Sequence, residues 1–536
     1  MFKKLLRHLG LALVFFVLTL AQQYLFYWLK DIHIVWLTFG KYFGVYAFLF
    51  AATFIPGKFL RYVFLSFVMI LNAFQMGHLS YYGTQLLPNE IYLLLTQFHE
   101  VQGTLLVEID HVLIPLLFTV IPCLLGLIAF RSVKELYQIK FMGLLFCLYF
   151  IYNPIRTLVT GNTWGRQPST RELGGMNVYL AFSYFTGKIL PHKIMRGTQQ
   201  VVKSPALDLQ IKAERPTEWD KVIFILGESL TPNHMELFGY DKPTTPFLKS
   251  IAQNPHFFYT RALSSGVSTD IAVAFLLNMG FGPAGSIKAA KGEHCLFKLA
   301  KNQKYTTHFL SIQSAEQLRY IAPYLCAASL DEYKTLEDIS PTTEDHQAAL
   351  DRDLLPALKE LISKPERQFI MLHQRGSHPP WELRFSPQSV VFKGNSKTDH
   401  YDNSVFEFDT FMKEFYSIVE KSKQSILVVY VSDHGEALGE GGNWGHGALI
   451  PASWEVPFLA ISFNAELPVE ITSIQKNVTH YNLSMILAKE LGYALNQDAS
   501  KPVENYVIYG NDIDGFAGQV EVKFKENGEY DFKVLP

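Results

Sequence analysis

Charge is scarce in this chain. Only 18% of its 536 residues are Asp, Glu, Lys or Arg, against about 25% in ordinary soluble proteins. The charges present nearly cancel, 47 basic against 49 acidic for a formal net of −2. That excludes a general polyanion binder, and no nucleic-acid partner is expected. Cysteine is scarcer still: four residues cannot make a disulfide-framework scaffold. What the chain has in quantity is apolar, 49% hydrophobic and 14% aromatic. This composition excludes disorder and points to a membrane part, and the length asks for at least two units.

The apolar excess sits in the first third. Leu9–Leu29 is apolar apart from Gln22 and Gln23, and Ile34–Ile55 is broken only by Lys41. Tyr62–Tyr82 carries Asn72, Gln75 and His78, Val112–Phe130 is clean, and Phe141–Leu158 is the weakest, with Asn153, Pro154 and Arg156 near its end. Each run is long enough to cross a ~30 Å hydrocarbon layer. The first lacks a small-residue cleavage site and is followed at once by another, so a retained helix is expected rather than a signal peptide. Lys3, Lys4 and Arg7 precede the first run, Lys58 and Arg61 lie between the second and third, and Arg131, Lys134 and Lys140 between the fourth and fifth. The loop from Gly83 to His111 has no Lys or Arg. This alternation puts the N-terminus in the cytoplasm and, with five spans, everything after Leu158 outside; four spans would reverse that. The expected organisation is a transmembrane domain over 1–158, a linker over 159–218, and a soluble domain over 219–536. An amphipathic stretch near Val178–Ile194 reads either as a helix lying on the membrane surface or as one packed on the soluble domain.

Beyond the linker, Val222–Leu226, Phe369–Leu372 and Ile426–Val431 read as buried parallel strands. Helical patterns such as Asp351–Ile362 and Tyr401–Val419 lie between them, which implies an α/β domain. Ligands gather beyond the carboxyl ends of strands in such sheets. There the sequence has Gly227-Glu228-Ser229, His373-Gln-Arg-Gly-Ser-His378 and Ser432-Asp433-His434-Gly435-Glu436, with His446-Gly447 a little further on. Each is unremarkable alone, since a Glu after a strand is usually a cap and an Asp-His pair usually structural. Together, carboxylate and imidazole at three strand ends form a ligand set suited to Zn²⁺ or Mn²⁺. Between the first two strands, Ser264-Ser265-Gly266-Val267-Ser268-Thr269-Asp270 leads into the apolar run Ile271–Leu277. Hydroxyls at a helix start are ordinarily N-caps. Beside a metal they are also candidate nucleophiles, at a helix end that favours phosphate. Cys295 and Cys326 share this domain and could bridge in an oxidising compartment. Gln519–Phe524 and Glu529–Val534 alternate around Asn527-Gly528, which predicts a terminal hairpin.

Taken in order, these segments resemble the phosphoethanolamine transferases of Gram-negative inner membranes, in the alkaline phosphatase/sulfatase superfamily. The resemblance also covers Phe238-Gly239-Tyr240, Thr245-Pro246 and Tyr401-Asp402-Asn403-Ser404. It implies an all-α transmembrane bundle of about five helices followed by an α/β sulfatase-like domain in the periplasm. It further implies that Glu228, Thr269, Asp433 and His434 hold the metal, usually zinc, with Thr269 as nucleophile. His378 and His446 would bind the phosphoryl group or help a second metal. Phosphatidylethanolamine would be the donor and a lipopolysaccharide-type glycolipid the acceptor, with Thr96 and Glu100 as loosely matched donor contacts. The cysteines that flank the nucleophile in the lipid A branch are replaced here by Ser265 and Phe275. A sulfatase proper would need a Cys or Ser within C/S-x-P-x-R, which does not occur at Ser264–Asp270. The remaining alternatives are a glycerophosphate transferase of periplasmic glucans and a non-catalytic membrane scaffold.

Overall fold

The computed structural model describes residues 2–30, 38–82, 86, 88–96, 110–133, 136–160, 173–191, 210–213, 217–280, 289, 291–315, 317–340, 349–394, 396–474, 476–512, 518–525 and 528–535. The chain divides into two compact units, Met1–Gln199 and Gln200–Pro536.

The first unit is helical: α1 (Phe2–Leu29), α2 (Phe39–Ala52), α3 (Lys58–Tyr82), α4 (Pro88–Thr96), α5 (Asp110–Ser132), α6 (Met142–Thr160) and α7 (Gly174–Tyr184), which continues as a π-helical turn, Phe185–Ile189. Four of these, α1, α3, α5 and α6, are long and apolar enough to cross a membrane. The weakest expected span, α6, is a full-length helix, whereas the second expected span yields only 14 described helical residues. At 1.5 Å per residue α2 covers about 21 Å; residues 34–37 of that expectation lie outside the described residues.

The polar residues inside the apolar runs turn toward neighbouring helices. Gln22 donates to the Met69 carbonyl (2.9 Å) and to Thr119 Oγ1 (2.8 Å), and Asn72 donates to Gln22 Oε1 (3.3 Å). Leu116, Ile121, Leu124 and Ile128 of α5 are exposed instead, as helices facing lipid require. The stretch expected near Val178–Ile194 packs against other helices of its own unit; its residues 192–194 lie outside the described residues. Helix α7 is buried within the first unit: the Gly174 N–H donates to Gln23 Oε1 (2.8 Å) and Asn177 donates to Gln75 Oε1 (3.0 Å). A Cβ at Gly175 would stand 2.3 Å from the Val68 carbonyl oxygen, so α7 approaches α3 backbone to backbone.

The second unit is built on an eight-stranded sheet. Its strands are β1 (Lys221–Gly227), β2 (Phe257–Leu263), β3 (Thr306–Ser311), β4 (Glu332–Lys334), β5 (Gln368–His373), β6 (Ile426–Ser432), β7 (Glu455–Phe463) and β8 (Asn477–Thr479). Their spatial order is β8-β2-β7-β6-β1-β5-β3-β4. The three strands expected from sequence, β1, β5 and β6, are adjacent and parallel at the centre. Val222, Phe224 and Leu226 of β1 enter one apolar cluster, and Ile223 and Ile225 the other. Both faces of the sheet are therefore covered, which is why β1 reads as an unbroken apolar run. Helices α8 (Thr269–Asn278), α9 (Lys397–Val419) and α10 (His480–Glu490) flank the strands used below.

Cys295 and Cys326 are joined as a disulfide, with 6.6 Å between their Cα atoms. The terminal hairpin is present, Gln519–Phe524 pairing antiparallel with Tyr530–Leu535, and Asn505–Tyr509 adds a third strand.

Candidate active site

Parallel pairing brings the ends of β1, β5 and β6 to one edge of the sheet, and backbone bonds lock the segments beyond them. The Asp433 N–H donates to the Gly227 carbonyl (3.0 Å), and the Ser377 N–H to the Glu228 carbonyl (3.0 Å). Gly376 sits at φ 51°, and a Cβ there would fall 2.3 Å from the Glu228 oxygen. Only glycine lets the loop after β5 press on the residue after β1. Ser229 is also left-handed, at φ 56°, a local strain beside Glu228 that the surrounding bonds sustain.

Glu228, Asp433 and His434 are all buried and close enough for one cation. His434 Nε2 is 3.3 Å from Glu228 Oε1 and 3.4 Å from Asp433 Oδ2. Ser229 Oγ donates to Glu228 Oε1 (2.7 Å), and the N–H groups of Ser229 and His434 donate to Asp433 Oδ1 (3.1 and 2.7 Å). Asp433 Oδ2 makes no hydrogen bond although buried. His434 Nδ1 faces the Gly435 carbonyl (2.9 Å), so Nδ1 carries hydrogen and Nε2 is the atom offered to the site.

The electrostatics are those of a site that lacks positive charge. Burial would raise Glu228, but the bond and charge of His434 hold it well below the usual carboxylate range. Burial and the Glu228 charge push Asp433 up to about 8. Burial opposes a charged His434, yet Asp433 and Glu228 outweigh it and raise the imidazole to about 10. Two dry carboxylates thus recruit protons where a divalent cation would serve, and the donor set suits Zn²⁺ or Mn²⁺.

Thr269 is the first residue of α8. Ser268 occupies the N-cap position without making the cap bond, its hydroxyl going to Asp270 Oδ1 (2.8 Å). The Thr269 hydroxyl is therefore not a cap: it donates to Glu228 Oε2 (3.1 Å) and lies 3.4 Å from His434 Nε2.

The other expected residues are near. The His446 ring is 4.4 Å from that of His434, and the His378 ring 5.4 Å from that of His446. His446 Nδ1 faces Glu436 Oε2 (3.2 Å) and His378 Nδ1 the Pro379 carbonyl (2.6 Å). With Nδ1 engaged, each ring turns Nε2 to the site, where it accepts a proton or holds a second cation when unprotonated and binds phosphoryl oxygen when protonated. His434, Glu436 and His446 form a second metal-capable group. Burial pushes His378 down to about 3 and His373, bonded to Ser311 Oγ (3.0 Å), down to about 4. Thr96 ends α4, and Glu100 lies outside the described residues.

Several site residues escaped the sequence reading. Glu436 stood inside a quoted motif but received no role. Gln313, two residues past β3, approaches Glu228 Oε2 at 3.5 Å, and the strand-end rule applied to β3 finds it. Half-buried Asp351 accepts the Arg375 N–H (2.8 Å), shaping the loop after β5, and no sequence pattern marks it. The Tyr401-Asp402-Asn403 segment supports the site rather than entering it: Tyr401 OH donates to the Ser229 carbonyl (2.9 Å), and Asp402 accepts from Lys242 (2.6 Å).

Known proteins share this fold. Residues 220–493 match the sulfatase family model, just over half the chain. Phosphoethanolamine transferase EptA of Helicobacter pylori is 28% identical over 51% of this chain and 53% of its own. Kdo(2)-lipid A phosphoethanolamine 7''-transferase of Salmonella typhimurium is 25% identical over 44% of this chain and 43% of its own. The chain thus spans about half the length of the curated relatives it matches. The integral membrane lipooligosaccharide phosphoethanolamine transferase A of Neisseria meningitidis shares the fold across 90% of this chain and 95% of its own, with TM-score 0.62 at 17% identity. The expected architecture, apolar helices followed by a sulfatase-like α/β domain, is borne out, as is the multi-pass membrane character.

Proposed function

Because the chain belongs to the sulfatase family, we propose that it is a metal-dependent phosphoethanolamine transferase of a bacterial inner membrane, with residues 219–536 as its periplasmic catalytic domain. The observation that carries this reading is the Thr269 hydroxyl, free of capping duty and set 3.1 Å from Glu228 and 3.4 Å from His434 in a buried ligand set. The relatives named above supply the transferred group. The donor is phosphatidylethanolamine, drawn from the surrounding membrane lipids, and the acceptor a hydroxyl or phosphate of a lipopolysaccharide-type glycolipid.

Glu228, Asp433, His434 and Thr269 would hold the metal, Zn²⁺ or alternatively Mn²⁺. When bound it makes the Thr269 hydroxyl easier to deprotonate and neutralises phosphoryl charge. Thr269 Oγ1 attacks the donor phosphorus in line. The new Oγ1–P bond replaces the bond to the glyceride oxygen, and diacylglycerol leaves with a proton. A second attack, by the acceptor oxygen, breaks the Oγ1–P bond and frees Thr269. His446, backed by the Glu436 carboxylate, and His378 lie within reach of the transferred group and serve these proton movements. A glycerophosphate donor finds no support among the relatives named, and a scaffold would have no use for a complete ligand set.

Mass spectrometry of envelope glycolipids from cells with and without the protein tests the reading. A gain of one phosphoethanolamine that depends on the protein is expected. Identical glycolipid profiles under full expression would sink it.

A further inference from the structure

One buried histidine takes no part in the chemistry above. His480 opens α10, is completely buried, and stands between the two segments whose spacing sets the nucleophile against its metal ligands. Its Nε2 lies 3.0 Å from the carbonyl of Ser432, the last residue of β6 before Asp433 and His434. Its Nδ1 lies 3.4 Å from the Ser265 nitrogen and 3.3 Å from Ser265 Oγ, on the turn that leads into Thr269. A carbonyl can only accept, so Nε2 carries the hydrogen and Nδ1 offers its lone pair to Ser265. Burial pushes the imidazole down to about 3, which keeps it neutral, and the Ser432 carbonyl selects the tautomer.

The rest of the turn is held at other points. The Ser264 N–H donates to the Trp454 carbonyl (2.8 Å), the Tyr509 N–H to the Ser265 carbonyl (3.0 Å), and the Val267 N–H to the Tyr509 carbonyl (3.0 Å). Ser265 Oγ also reaches the Ala272 carbonyl at 3.4 Å. One residue earlier, Ser264 Oγ donates to the Asp433 carbonyl (2.5 Å), so two side chains tie the turn to the β6 terminus, and among the described residues His480 is the one that holds the Ser265 amide.

We propose that His480 is a positioning residue that fixes the nucleophile turn to the end of β6, and so holds Thr269 in line with the site formed by Glu228, Asp433 and His434. It acts through Ser265 and never touches substrate. This rests on the reading of Thr269 as nucleophile, but its structural half, the turn's attachment, is measurable without any activity.

Two substitutions separate attachment from packing, because each keeps one end of the link and cuts the other. His480→Asn keeps an acceptor at the position of Nδ1 and loses the reach to Ser432; His480→Gln is closer to histidine in volume, extends toward Ser432 and gives up Ser265. If His480 only fills space, the Gln variant should behave as wild type. Under the proposal both variants release the turn. Full-length protein in detergent, loaded with zinc, is first followed by hydrogen exchange. The Ser264–Leu277 peptide should exchange faster than in wild type in both variants, with protection of the β1, β5 and β6 strands kept. Next, the rate at which a fluorescent phosphatidylethanolamine disappears is measured. Both variants should fall about a hundredfold in kcat with little change in KM, as for a reacting group displaced by a fraction of an ångström to an ångström. Wild-type exchange and rate in His480→Gln would overturn the proposal. So would failure of both variants to fold, which would make His480 a plain core residue. If wild type cleaves no donor while the faster exchange of the variants holds, the function proposed above fails and the attachment of the turn stands.

Discussion

The two units bury polarity in different ways. In the helical unit the polar groups buried between helices are mostly neutral amides and hydroxyls, Gln22, Gln23, Asn72, Gln75, Thr119 and Asn177, while many leucines and isoleucines face outward; Arg61 is buried too, its Nε donating to the Ile55 carbonyl (2.7 Å). In the sheet unit the apolar residues fill both faces, and what is buried at the strand ends is charge: Glu228, Asp433, His434 and Glu436. A neutral amide network joins helices at little electrostatic cost. Buried carboxylates without a counter-charge cost several kcal/mol each, and a fold keeps such a group where something else compensates. The contrast separates polarity that holds a structure together from polarity that waits for a ligand.

The largest expected effect breaks the second half of that contrast. Stripping the protein with a chelator, or changing Asp433→Ala, should cut transfer by about a thousandfold or more, because several kcal/mol of phosphoryl-charge stabilisation go with the metal. Zinc should restore the stripped wild type and leave the variant inactive. Full activity after exhaustive chelation would show that the carboxylates do not await a cation.

Close backbone contacts exist in both units and give the next largest effect. Gly376→Ala forces a Cβ into the Glu228 oxygen at a positive φ, and Gly175→Ala forces one into the Val68 carbonyl. Each should destabilise its own unit by about 2–4 kcal/mol, but only Gly376→Ala should also weaken zinc binding. Calorimetry paired with zinc titration tells them apart.

The pH dependence of the metal-free protein sharpens the comparison further. His434 is raised from 6.5 to about 10 on folding, so its contribution is complete below 6.5 and is lost as pH rises to about 10. Asp433, raised from 3.8 to about 8, contributes fully below 3.8 and has lost its contribution by about 8. Glu228, held low, acts in the opposite sense and loses its contribution only on acidification. The metal-free sheet unit should therefore melt at lower temperature at pH 9 than at pH 7, and bound zinc should suppress that drop. A metal-free melting temperature flat or rising across this interval would contradict the charge account. The smallest effect belongs to the helical unit: Gln22→Leu removes three hydrogen bonds, each worth about 0.6 kcal/mol, and should cost about 2 kcal/mol with no pH dependence. Thermal melts at two pH values check this.

Much of this was legible in residue order. Apolar runs with basic residues on alternate loops marked the helices, and β1, β5 and β6 stood out because strands covered on both faces lose their alternation. Glu228, Asp433 and His434 followed as candidate ligands, since they come directly after β1 and β6, whereas Thr269, beyond β2, entered through the family resemblance. Less legible was anything that depends on a partner distant in sequence. Gly175 gains meaning only once the Val68 carbonyl is placed against it. Glu436 gains meaning only from His446, and His480 sits in a helix start with no motif around it. Thr269 and Ser268 are equivalent on paper; the Ser268–Asp270 bond, invisible in spacing, leaves Thr269 to face Glu228.

That last distinction carries the account, and one measurement tests it most directly. Full-length, zinc-loaded protein is incubated with phosphatidylethanolamine and no acceptor, and the Ser264–Leu277 peptide is sequenced by mass spectrometry. The account predicts an added phosphoethanolamine on Thr269 in the wild type. In Thr269→Ala it predicts no label and almost no transfer, in a protein that remains folded and still binds zinc through Glu228, Asp433 and His434. A label on Ser268, or near-normal turnover by Thr269→Ala, would contradict it.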